Sequence, residues 1–284
     1  FLIDCGEGAQ RQFCRQHLSF ERVDAIFISH IHGDHIFGLF GLLSTLGLAT
    51  RRAGIRIFGP NSLGPVLKFF LSYFGEQLGI TIDFTPVKAK SPEVIFENKF
   101  LTVEAFPLNH RIETYGYLFR EKTPQLNVRK AAIEEYGLGI AEICSLKNGE
   151  DLVRTDDDGS PELRVPNEEL TYLPYRPRAF AYCSDTAPFP ELPTWVRDVD
   201  LLYHETTYMA GLEKEAAARY HSTTLQAAQC ALNAGAGKLI AGHYSSRYRD
   251  TAALLAELRS VFPNSFAAND GDVFDVPLDK RAEQ

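Results

Sequence analysis

The stretch Ser29-His30-Ile31-His32-Gly33-Asp34-His35 decides how this chain is read. It sets four groups able to ligate a cation within six residues, and it completes Asp24–Ser29 (DAIFIS), an apolar, β-branched run of the kind that forms a buried strand. Imidazole nitrogen and carboxylate oxygen are the donors that zinc-like cations take. Two histidines one residue apart reach one ion from a tight loop, while Asp34 and His35 turn toward a second. One loop therefore seeds two sites, and three of the eight histidines are gathered in it.

Outward from this loop, apolar strand-like runs alternate with helical periodicity. Strands are expected at 1–5, 24–29, 55–58, 80–86, 100–107, 115–120, 179–183, 201–204 and 238–241. Helices are expected at 9–18, 36–49, 62–74, 212–220, 222–234 and 251–261. Such alternation defines an α/β fold. Between 121 and 178 the texture turns charged and turn-rich, with Asp156-Asp157-Asp158-Gly159 inside it. The expectation is one domain over 1–284 with an inserted arm at 121–178.

With 284 residues, 45% apolar and 23% charged, the chain has an ordinary globular composition that excludes disordered, collagen-like and disulfide-scaffold classes. Lys plus Arg number 29 against 37 Asp plus Glu, a net charge of −8, so an RNA partner needs a local basic patch. The longest nearly uncharged run, 36–50, is broken by glycines and falls short of a membrane span. Five cysteines without a C-x-x-C pair read as reduced thiols and small buried hydrophobes of a cytosolic protein. The chain opens at Phe1 with neither an initiator Met nor a signal pattern, so upstream residues are expected to be missing.

The loop resembles the signature H-x-H-x-D-H of the metallo-β-lactamase superfamily. FLIDCGEGAQRQ from Phe1, SHIHGDHIFGL from Ser29, PLNHRIETYGY from Pro107, YCSDT from Tyr182, HETTY from His204 and GHYSSRY from Gly242 follow in order. Together they resemble the ribonuclease Z family, zinc endonucleases that remove the 3′ trailer of precursor tRNA. The resemblance implies an αβ/βα four-layer sandwich with two β-sheets flanked by helices, and a strand hairpin upstream of Phe1. It implies two zinc ions per subunit, with manganese as the alternative. His30, His32 and His110 would hold one ion, Asp34, His35 and His243 the other, and Asp185 would bridge. Asp34, Glu205 and His221 would carry catalysis, Asp34 moving protons from the water and the Glu205–His221 pair protonating the leaving oxygen.

The resemblance further implies a cytoplasmic homodimer acting on precursor tRNA, with the arm at 121–178 as a tRNA-binding exosite. Here the arm keeps Leu146-Lys147-Asn148-Gly149 but has no Gly-Pro cluster. Candidate phosphate contacts are Lys147, Arg51, Arg52 and Arg247. His17 and His204 lack ligand spacing; the first reads as surface, the second as core or as a support behind the ligands. His221 has a second reading as a plain loop residue, since Thr223 and Gln226 form a capping-box pattern directly after it. Two rivals stand beside the nuclease: a hydrolase of the same fold acting on small phosphodiesters, sulfate esters or lactones, and an inactive metal-bound RNA-binding module. The complete ligand set and Glu205 argue against the second.

Overall fold

The structure, a computed structural model, describes residues 1–49, 54–156, 159 and 161–279. It divides into two compact units, one of residues 1–120 and 179–274, the other of residues 121–178 with residues 275–279. That the C-terminal segment groups with 121–178 is not announced by the sequence pattern.

Two sheets make the frame of the first unit. Leu2–Ile3, Ala25–Phe27, Gly54–Pro60 and Thr81–Val87 pair in that order, all parallel. The second sheet runs Ser265–Ala267, Leu239–Gly242, Leu201–Glu205, Ala179–Cys183, Tyr115–Glu121, Leu101–Pro107, Glu93–Glu97. Its first four strands are parallel, and Ala179–Cys183 meets Tyr115–Glu121 antiparallel. Side chains alternate across a strand, so each sheet offers two faces to bury. Ala25, Phe27 and Phe58 of the first sheet pack with Val103, Ala105, Tyr115 and Tyr117 of the second, which places one core between the sheets. The Tyr117 hydroxyl crosses that core to donate to the Ile28 carbonyl at 2.6 Å. The outer face of the first sheet is covered by the helices Leu39–Ala49 and Leu63–Phe74, through Ile26, Ile28 and Ile57 against Leu42, Leu43 and Leu67. The outer face of the second is covered by Leu192–Trp195, Thr224–Ala234 and Ala252–Val261. Helix, sheet, sheet and helix form the four layers expected of a metallo-β-lactamase fold.

Where the pattern suggests one helix over 36–49, the structure has Gly33–Ile36 and then Leu39–Ala49. The break at Phe37-Gly38 has a physical cause: the Gly38 N–H donates to the Cys5 carbonyl at 2.9 Å, and the Cys5 N–H donates to the His35 carbonyl at 2.7 Å. These bonds bind the histidine loop to the turn after Leu2–Ile3. Of the cysteines, Cys5, Cys183 and Cys230 are buried as small hydrophobes, but Cys14 and Cys144 are exposed, contrary to the expectation for all five. Neither contributes core volume, since Cys14 lies on the outer side of the one-sided helix Ala9–Arg15 and Cys144 on that of Ile140–Lys147.

The second unit has a core of its own. Ala132, Leu138, Leu146, Leu152, Val165 and Leu170 bury one another between the helices Lys130–Tyr136 and Ile140–Lys147 and two short antiparallel ladders. Charged residues between these positions hide the pattern in the sequence. Arg154 is held by Glu142 at 2.8 Å and by the Tyr136 carbonyl at 2.7 Å.

A Cβ at Gly38 would collide with the Gly6 carbonyl, whereas one at Gly41 meets only the flexible end of Gln10. Gly38→Ala should therefore cost about 1–3 kcal/mol through overpacking against backbone, while Gly41→Ala, in a helix interior, should be neutral or stabilising by up to about 1 kcal/mol. Denaturant midpoints for the two variants test this contrast, and equal midpoints would contradict it.

Candidate active site

The histidine loop leaves the C-terminal end of Ala25–Phe27, His110 follows Leu101–Pro107, Asp185 follows Ala179–Cys183, and His243 follows Leu239–Gly242. Strand ends from both sheets thus bring four separate segments together. His30 Nε2 lies 3.0 Å from His32 Nδ1, and His110 Nε2 lies 3.5 Å from that same nitrogen. Asp185 divides its oxygens. Oδ2 faces His30 Nε2 at 3.6 Å and His110 Nε2 at 3.9 Å, while Oδ1 faces His35 Nε2 at 3.5 Å and His243 Nε2 at 3.3 Å. Asp34 Oδ2 stands 3.6 Å from His35 Nε2 and 3.4 Å from His243 Nε2. Ligand atoms within 4.8 Å of one another form three groups: His30, His32, His110 and Asp185; Asp34, His35 and His243; and Asp185, His221 and His243.

The inner nitrogens face one another because the outer ones are tied down. His35 Nδ1 donates to Asp4 Oδ2 at 2.8 Å. Ser29 Oγ donates to the same oxygen at 2.8 Å and accepts from His30 Nδ1 at 3.0 Å. His110 Nδ1 donates to the Tyr220 carbonyl at 3.0 Å, and His243 Nδ1 to Thr207 Oγ1 at 2.8 Å. A ring whose N–H is held this way presents its other nitrogen as a lone pair in a fixed direction, the arrangement of metal-ligating histidines. His35 Nε2 is buried and makes no hydrogen bond to the described residues. An orphaned buried nitrogen costs about 1–3 kcal/mol unless something binds it, and a cation between these donors fits the need.

Burial, followed by the neighbouring imidazoles, pushes the His30 ring down to about 2, which keeps it neutral. The hydrogen bond from His243 holds Asp34 well below the usual carboxylate range. Burial would lower His243, but the bond to Asp34 and the charges of Asp185 and Glu205 raise it to about 9. Proton and cation compete for this lone pair.

Beside the cluster, Glu205 is fully buried. Its Oε1 accepts from the Thr186 N–H at 3.1 Å, the Ser222 N–H at 2.9 Å and His221 Nδ1 at 2.9 Å. Its Oε2 accepts from Thr207 Oγ1 at 2.7 Å and the Thr207 N–H at 2.9 Å. Burial would raise the Glu205 carboxyl, but these donors, His221 foremost, lower it. The His221 ring lies 5.5 Å from that of His243, nearly parallel, and 5.3 Å from that of His110. The capping box belongs to Thr223 and Gln226, which leaves His221 to pair with Glu205.

His30, His32, Asp34, His35, His110, Asp185, His243, Glu205 and His221 thus all meet at one place. Arg247 is exposed, its guanidinium 5.0 Å from the centre of the Tyr208 ring, which itself lies 6.2 Å from the His221 ring. Lys147 ends a helix in the second unit, and Arg51 and Arg52 lie outside the described residues. His17 is exposed and His204 buried, each as expected. Sequence reasoning missed Asp4 and Thr207. Both sit inside quoted segments, FLIDCGEG and HETTY, so the segments were legible while the two roles were not.

A protein-family model described as Anti-Pycsar protein Apyc1 matches residues 1–123. The ribonuclease Z of Porphyromonas gingivalis is 42% identical over 270 residues, covering 95% of this chain and 87% of that protein. The ribonuclease Z of Bacteroides thetaiotaomicron is 39% identical over 270 residues, covering 95% and 84%. The crystal structure of human tRNase Z, short form, shares the fold with a TM-score of 0.67 at 22% identity, covering 97% of this chain and 87% of that one. Such identity along nearly the whole chain, on a metallo-β-lactamase fold, means that this protein belongs to the ribonuclease Z family of nucleases.

Proposed function

We propose that the chain is a zinc-dependent endoribonuclease that removes the 3′ trailer from precursor tRNA. In this reading His30, His32 and His110 would hold one ion and Asp34, His35 and His243 a second, with Asp185 shared between them. The observation that carries it is the set of tied outer nitrogens, which leaves inner lone pairs converging around the split carboxylate. When bound, a pair of such ions lowers the pKa of a water and neutralises charge on the scissile phosphodiester. Asp34, the most exposed of the ligand carboxylates, accepts the proton of the attacking water. His221, oriented by Glu205 through Nδ1, gives a proton from Nε2 to the departing ribose 3′-oxygen. The P–O3′ bond breaks, leaving a 3′-hydroxyl on the tRNA and a 5′-phosphate on the trailer.

Arg247 and Lys147 serve as phosphate contacts, and residues 121–178, folded on their own core, act as the tRNA-binding exosite. Cytoplasmic precursor tRNA is the substrate. The enzyme works as a homodimer: Phe69, Tyr73 and Phe74 stand exposed on the helix Leu63–Phe74, and a second copy would cover this aromatic face.

The proposal is tested by incubating the protein with a precursor tRNA and with bis(p-nitrophenyl) phosphate, with and without a chelator. Cleavage of both, lost on chelation, supports it; cleavage of the small ester alone would favour a hydrolase of small phosphodiesters. Asp4→Ala, which frees His35 and Ser29, should weaken metal affinity by about 10–100-fold in a competitive chelator titration. Glu205→Ala or His221→Ala should slow tRNA cleavage by about 10²–10⁴-fold with metal content unchanged. Their effect should shrink on the nitrophenyl ester, whose leaving group departs without a proton; an equal loss on both substrates would assign these residues to the metal site instead.

A further inference from the structure

Away from the histidine cluster, the helices Leu192–Trp195 and Thr224–Ala234 flank an open cavity of about 390 Å³, within the range of small-molecule sites. One wall is apolar, formed by Phe189, Pro190 and Leu192. The rim includes a row of side-chain amides, Gln226, Gln229 and Asn233, from one face of the helix Thr224–Ala234, and none of the described lining residues carries a fixed charge. The floor holds Cys230 and His204, the latter only 1% exposed.

Hydrogen bonding on this lining is incomplete in a definite pattern. His204 Nδ1 donates to the Glu205 carbonyl at 2.8 Å, which leaves Nε2 as a lone pair with no partner among the described residues. Burial keeps that ring neutral. On the rim, Gln226 Oε1 already accepts from the Thr223 N–H at 2.9 Å, and Asn233 Oδ1 accepts from Gln229 Nε2 at 2.8 Å. What remains there are the N–H groups of Gln226 and Asn233 and the acceptor oxygen Oε1 of Gln229. The cavity therefore offers an acceptor at its floor, two amide donors and one amide acceptor at its rim, and an apolar wall.

We propose that this cavity is a binding site for a small, uncharged, planar lactam heterocycle of the nucleobase kind, its ring N–H directed to His204 Nε2 and its carbonyl to the amides of Gln226 and Asn233. A flat ring covers the Phe189 wall, and an anion finds no cation here to offset its desolvation. This site is separate from the metal cluster and does not depend on the reaction assigned there.

The chain has one tryptophan, and Trp195 packs edge-on against Phe189 at 5.4 Å, so the wall carries its own fluorophore. Uracil titrated into the full chain should produce a saturable change in Trp195 emission, matched by saturation-transfer NMR of the ligand. 1,3-Dimethyluracil, which lacks the N–H donors, and orotate, which adds a charge, should each bind about tenfold more weakly or worse. His204→Phe should weaken uracil to the same degree. Asn233→Leu, an exposed change that spares the core, should weaken it too and keeps the test valid if the first variant does not fold. The proposal is overturned if neither readout responds to uracil up to about 10 mM, if the three ligands bind alike, or if the folded variants bind uracil as the parent does.

Discussion

The structure depends on holding like against like. Imidazole lone pairs and two carboxylates are drawn within a few ångströms, an arrangement that repels itself unless the rings cannot turn away or a cation sits among them. Asp4 is the principal restraint: one carboxylate accepts from the Ser29 N–H at 2.7 Å, from Ser29 Oγ, from His35 Nδ1 and from the Tyr182 hydroxyl at 2.9 Å. It thereby joins the first strand of one sheet to a central strand of the other. The layers on either side, packed through Phe27, Phe106 and Leu43 among others, supply the rigidity that lets these directions persist.

Thr207 extends the same logic from the cluster to the neighbouring Glu205–His221 pair. Its hydroxyl accepts from His243 and donates to Glu205, so a ring of the cluster and the carboxylate bonded to His221 are fixed through one oxygen atom. In the proposed mechanism, cation binding and proton delivery would be distinct roles placed on adjoining bonds. The directions of His243 and His221 are consequently set together, which explains their near-parallel rings.

The sequence exposes what is local. His30 to His35 are contiguous, the apolar run before them reads as a strand, and His110, Asp185 and His243 each sit just past a strand-like run, so their convergence follows once strands are paired. Asp4 and Thr207 act by bonds made across the fold, and a single carboxylate or hydroxyl in a loop gives no sign of its distant partner. The core of residues 121–178 was hidden for another reason: Leu146, Leu152 and Leu170 are separated by charged and turn residues, so no period of 2 or 3.6 stands out. The break at Gly38 likewise comes from the Cys5 carbonyl, a tertiary partner that helical periodicity cannot register.

The strands that flank residues 121–178 are neighbours in the sheet, with Arg120 directly opposite Ala179 and the Glu121 N–H donating to the Arg178 carbonyl at 2.9 Å. Entry and exit of this long excursion therefore lie at one rung of a ladder, where a short turn would serve the sheet equally well. Loop-closure entropy grows only slowly with length, so the frame is nearly indifferent to what is carried there. In architectural terms the segment is an exchangeable cassette: it can be lengthened, shortened or recast while the strand ends that carry the histidine cluster inherit no new strain.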